Sequence, residues 1–190
     1  MNWSLKVNGI DKCLQLLSVK RRDGKNLPVD YAFGIWIDMT CLIRLEKRTI
    51  FLIGNGASAS MASHVSADLA KNGHVHTEVF SDLSLITAIA NDLSYDDVFA
   101  EPLRRRMKKG DMLVAISSSG QSINVLKATE EARKMEGLVV TLSAMKNDNS
   151  LASKGDLNFY VPASTYGMAE TCHAAILHHW IDKIVERNTQ

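Results

Sequence analysis

From residue 49 onward, short and mostly apolar runs alternate with longer stretches whose apolar positions recur at helical spacing. The runs are TIFLI at 49–53, EVF at 78–80, MLVAI at 112–116, LVVTL at 138–142 and LNFYV at 157–161. Between and after them, the spacing predicts helices over 58–72, 84–91, 94–108, 122–135 and 167–187. A strand that is apolar throughout has both faces covered, and strands alternating with helices pair in parallel. The expected fold class is therefore α/β: a three-layer sandwich with a five-stranded parallel sheet flanked by helices. Residues 1–47 follow a different pattern. They predict two helices, 3–19 and 29–46, parted by KRRDGKNLP with its Gly24 and Pro28. The second carries Tyr31, Phe33, Ile35, Trp36, Met39, Leu42, Ile43 and Leu45, too wide an apolar surface for one buried stripe. Such a helix lies deep in a core or against another subunit. The expectation is a subunit contact, with 1–47 an amino-terminal helical arm for oligomerisation and 48–190 one domain.

The third run empties into SSSGQS, residues 117–122, just ahead of a helix. Ligands of open α/β sheets bind beyond the carboxyl ends of the strands. A helix start there offers unpaired N–H groups and the positive end of the helix dipole. Ser117, Ser118 and Ser119 add hydroxyls, Gly120 permits close backbone approach, and Ser122 suits an N-cap. Together they form a site for a phosphate monoester, where an ordinary capped turn would need one serine. GNGASAS at 54–60 repeats the theme after the first run, with Asn55, Gly56, Ala57 and Ser58 at the turn. It is neither a dinucleotide fingerprint, since position 59 is Ala59, nor a nucleotide-binding P-loop, since no Gly-Lys-Ser/Thr follows.

Charge and cysteines narrow the classes. With 22 basic against 21 acidic residues the net charge is +1, which gives no support to nucleic-acid binding. Three scattered cysteines without a CxxC pair argue against a disulfide framework or a zinc finger. No run approaches the roughly 20 apolar residues of a membrane span. The opening MNWSLKVNGIDKC lacks the apolar core of a signal peptide, so a cytoplasmic location is expected.

Candidate chemistry sits on two helices. His64 and Asp68 are spaced i, i+4 and share a face, as a surface ion pair or as two metal ligands. YGMAETCHAAILHHWIDKIV carries Glu170, His173, His178 and His179 within an otherwise apolar helix. Glu170 and His178 lie about 12 Å apart along an ideal helix, so sharing one ion requires a frayed start or inward reach, and His173 is an alternative partner to either.

FLIGNGASA, ANDLSYDDVF, GDMLVAISSSGQSINVLKA and VVTLSA resemble the sugar-isomerase (SIS) domain, and within it the phosphoheptose isomerases. The resemblance runs from about residue 49 to 187, with a similar two-helix arm ahead of it. It implies the SIS fold and interconversion of sedoheptulose 7-phosphate and glycero-manno-heptose 7-phosphate, for lipopolysaccharide or capsule heptose. It also implies a homotetramer with active sites near subunit interfaces and a divalent metal, usually Zn2+. By the same resemblance His64, Asp68, Glu170 and His178 are the metal set, with Asp68 where glutamate is usual and Glu170 where glutamine is usual. Asp68 is the implied base, Glu170 a rival base, and His178 the acid. Asn55, Asn91 and Asp92 are implied at sugar hydroxyls, with Tyr166 near the pocket, while Gly167 replaces a family aspartate. The competing readings are a sugar-phosphate-binding module without chemistry and an isomerase of another phosphosugar.

Overall fold

The computed structural model describes residues 2–188. After α1 (Trp3–Gln15) the chain makes β1 (Ser18–Arg21) and β2 (Asn26–Leu27), then α2 (Val29–Leu45). The alternating part follows as β3 (Thr49–Gly54), α3 (Ala57–Gly73), β4 (His76–Val79), α4 (Leu83–Asp92) and α5 (Ala100–Arg106). It ends with β5 (Met112–Ser117), α6 (Ile123–Lys134), β6 (Leu138–Ala144), β7 (Leu157–Val161) and α7 (Tyr166–Asn188). All five expected strands are present and parallel to one another, in the order β7-β6-β5-β3-β4.

The sheet is wider than expected. A hairpin, β1 with β2, adds two antiparallel strands along the β7 edge, pairing Val19 with Phe159 and with Leu27. The first helix consequently stops at Gln15 rather than running to 19. The strand was hidden because only Val19 of its four residues is buried, leaving no alternation to read.

Each central strand alternates its side chains between two cores. Ile50, Leu52, Val114 and Val140 face the layer holding α2, α3 and α7, whereas Phe51, Ile53, Leu113 and Val139 face the layer holding α5 and α6. The wide apolar surface of α2 divides its roles. Phe33, Trp36, Ile37 and Ile43 are buried in the first core, with Trp36 stacked on Trp180 at 4.1 Å, while Tyr31, Leu42 and Leu45 stay exposed. The Trp180 indole N–H donates to Thr40 Oγ1, which donates to the Trp36 carbonyl, so the stacked pair is joined by hydrogen bonds as well.

Strand order reverses between β3 and β5. From β3 the chain crosses through α3 on one face, and from β5 through α6 on the other. The two exits part and leave a crevice at the carboxyl ends of these neighbouring strands, where such sheets bind ligands.

Candidate functional site

The crevice is a cavity of about 320 Å³ between the β3–α3 turn and the β5–α6 turn. Asn55, Gly56, Ala57 and Ser58 form one wall and Ser117, Ser118, Ser119 and Ser122 the other, with Tyr166 and Glu170 of α7 closing the side. Two helix starts, Ala57 of α3 and Ile123 of α6, meet here, so two positive dipole ends converge. Among the described residues no lysine or arginine lines the cavity. The described lining offers an anion neutral hydroxyls, backbone N–H groups and two helix dipoles, beside the one carboxyl of Glu170.

Local backbone explains the shape. Gly54 sits so close to the next helix that a Cβ there would fall 2.5 Å from Ser58 Cβ and 3.0 Å from the Ile116 carbonyl oxygen. Gly56 turns the chain with φ +56. Ser122 occupies the N-cap position, but its hydroxyl makes no capping bond and lies 3.3 Å from Ser117 Oγ instead. Asn55 is largely committed to the protein. It exchanges two 3.0 Å hydrogen bonds with Asn124 and accepts a third from the Tyr95 hydroxyl at 3.2 Å, clasping the β3–α3 turn to α6. Sequence reasoning missed Asn124 and Tyr95. The signal available for Asn124 was an amide two residues beyond the N-cap, on a face that had to be buried.

A second cluster lies farther along α3 and α7. His64 Nε2 is 3.3 Å from Asp68 Oδ2, and the rings of His64 and His178 are 5.4 Å apart between centroids. One donor atom from each of the three falls within 4.8 Å of the others. An i, i+4 His–Asp pair is common on helix surfaces; a third ligand from another helix is what distinguishes this one. Two imidazoles and a carboxylate match the three protein ligands of catalytic zinc sites, which keep a fourth position open. Asp68 and His178 of the trio line a broad groove of about 670 Å³ together with Lys71, His74 and Asp182.

Three expected placements differ. Glu170 does not join the trio: α7 is already regular at that point, and eight residues of helix, about 12 Å, separate Glu170 from His178. It lines the serine cavity instead. Asn91 and Asp92 are exposed at the end of α4, hydrogen-bonded to each other at 2.9 Å, and line neither wall of that cavity. His173 serves no trio member. It is fully buried, with neither ring nitrogen in a well-formed hydrogen bond. His179 packs edge-on against Phe33, 4.6 Å between centroids.

Burial pushes the His173 imidazole down to about 4, and the nearby Ser143 backbone only partly offsets this. The folded protein therefore holds His173 neutral to about pH 4, while the unfolded chain takes up the proton near 6.5. Stability should fall as pH drops from 6.5 towards 4, by up to about 1.4 kcal/mol per pH unit and about 3 kcal/mol in all. Thermal unfolding of the wild type and His173→Phe at pH 7 and pH 5 checks this. The wild type should lose more on acidification than the variant, and equal losses would contradict it.

Among the described residues no helix is long and apolar enough to cross a membrane. The SIS domain family matches residues 40–144. A phosphoheptose isomerase of Shewanella sp. (strain ANA-3) is 33% identical over 183 residues, covering 92% of this chain and 91% of its own. Two solved structures share the fold. The phosphoheptose isomerase of Neisseria gonorrhoeae superposes with a TM-score of 0.82 at 24% identity, over 96% of this chain and 94% of that one. That of Francisella tularensis gives 0.81 at 20% identity, over 97% and 94%. The match to more than half of the chain, together with a relative aligned over nearly all of it, makes this protein a member of the SIS domain family.

Proposed function

We propose that the protein is an aldose–ketose isomerase converting D-sedoheptulose 7-phosphate to D-glycero-D-manno-heptose 7-phosphate. The observation that carries this reading is the arrangement along α3 and α7. Both helices pass the serine cavity near their starts, and both present imidazole or carboxylate groups one to three turns farther along. The relative's name, phosphoheptose isomerase, supports the same reading.

In this mechanism the serines and the two helix starts hold the phosphate, and that binding energy positions the sugar's carbonyl end. A carboxylate removes a proton from C1 of the ketose as the C2 carbonyl oxygen gains one, giving an enediol. Loss of the C1 hydroxyl proton and return of a proton to C2 complete the aldose. Asp68 is the proposed base, with Glu170 on the cavity wall as its rival, and His178 moves the proton between O1 and O2. His64, Asp68 and His178 would hold a divalent ion such as Zn2+, which supplies polarisation of the carbonyl when bound. Exposed Trp3, Leu5, Leu16, Tyr31, Leu42 and Leu45 support residues 1–47 as the oligomerisation segment of a homotetramer. The reading places the enzyme in the cytoplasm, supplying heptose for lipopolysaccharide or capsule.

Purified protein incubated with sedoheptulose 7-phosphate in D2O should yield the aldose with deuterium at C2. A chelator should abolish turnover and added Zn2+ restore it. Binding without turnover, in protein that also carries no stoichiometric metal, would favour a sugar-phosphate-binding module. Turnover of a different ketose phosphate alone would reassign the substrate.

A further inference from the structure

The serine corner is braced from behind by the segment that follows β6. The Ala144 N–H donates to the Ser118 carbonyl at 3.1 Å, and the Leu151 N–H to the Gly120 carbonyl at 3.0 Å. In a planar trans peptide the C=O and the following N–H point in opposite directions. Tying back these two carbonyls therefore turns the N–H groups of Ser119 and Gln121 away from the brace. The Gln121 N–H is taken by Ser119 Oγ at 3.3 Å, whereas the Ser119 N–H has no partner among the described residues.

Asn149 stands at the centre of the brace, only 3% exposed. Its Nδ2 donates towards the carbonyls of Lys146 at 2.7 Å and Ala144 at 3.3 Å and towards Ser143 Oγ at 3.2 Å. Its Oδ1 accepts from the Ala152 N–H at 3.0 Å. Gly120, at φ +63, lies against this carboxamide, and a Cβ there would fall 1.9 Å from Asn149 Oδ1. One buried side chain thus fixes the segment carrying both pinning donors and forms the support beneath Gly120.

We propose that Asn149 is a positioning residue for phosphate binding: through Gly120 and the Ala144–Leu151 segment it aims the Ser119 N–H and the corner hydroxyls at the ligand. It touches no ligand itself. The inference rests on the serine corner being the phosphate holder, so Ser118→Ala is measured alongside.

Asn149→Asp keeps the Oδ1 acceptor for Ala152, aspartate being as good a cap as asparagine, but sets a charged acceptor against the carbonyl oxygens of Ala144 and Lys146. Asn149→Ala removes the brace without adding charge. For both, KM for sedoheptulose 7-phosphate and the inhibition constant of inorganic phosphate should rise about tenfold or more, with kcat within about threefold of wild type. Ser143→Ala, which deletes one acceptor and no main-chain bond, should give the same split in smaller measure and serves if the Asn149 variants do not fold. Lowered melting temperature with both constants unchanged would overturn the proposal. If Ser118→Ala weakens phosphate binding while the brace variants do not, the proposal alone fails; if Ser118→Ala also leaves both constants unchanged, the phosphate reading fails first.

Discussion

His178→Ala is expected to lower kcat for the isomerisation by about a thousandfold, the middle of the range that one acid–base group contributes. The ring is exposed and meets His64 across the helix pair, so the variant should fold, with stability changed by no more than about 0.5 kcal/mol. The neighbouring His179→Ala provides the contrast. That ring packs on Phe33 and faces no trio member, so its loss should cost packing and leave turnover near wild type. Asp68→Asn and Glu170→Gln then assign the base, because the carboxylate that takes the C1 proton should abolish deuterium incorporation when neutralised. Full turnover in His178→Ala would remove the trio from the mechanism.

Gly54→Ala should be strongly destabilising. The added carbon meets Ser58 Cβ at 2.5 Å, Ser58 backbone carbon at 2.8 Å and the Ile116 carbonyl oxygen at 3.0 Å. Two of these are main-chain atoms, so no rotamer change relieves the overlap and the end of β3 must move away from the first turn of α3 and from β5. Overpacking of this kind costs about 3 kcal/mol, a fall of roughly 6–12 °C in melting temperature for a chain of this size. Because the same turn forms one wall of the cavity, sugar-phosphate affinity should fall with it. Gly34→Ala makes the opposite prediction. A Cβ there meets nothing within 4 Å, and the residue lies inside α2, so stability should rise by about 0.5–1 kcal/mol. Differential scanning calorimetry of both variants separates the two cases.

What could be read from the sequence followed from regular repeats. Mostly apolar, β-rich runs located the five parallel strands, and hydroxyls at the ends of two runs marked β3 and β5, whose following turns wall one cavity. The i, i+4 spacing of His64 and Asp68 survived intact because α3 is regular through that stretch. Arithmetic on α7 had already set Glu170 far from His178, and the helix is regular enough to keep them apart. The hairpin stayed hidden because a four-residue strand with one buried residue shows no period. Asn124 and Asn149 stayed hidden for another reason. An amide within a polar stretch looks like solvated surface until the fold buries it, at 3% exposure for each, and supplies its partners. Asn91 and Asp92 were placed by motif alone, and their side chains pair with each other instead.

A crystal of the protein with sedoheptulose 7-phosphate measures the central claim directly. The account predicts the phosphate among Ser117, Ser118, Ser119 and Ser122, with C1 and C2 directed at His178 and the carboxylate that serves as base. A sugar phosphate bound elsewhere, or seated in the serine cavity with its carbonyl end turned away from those groups, would contradict it.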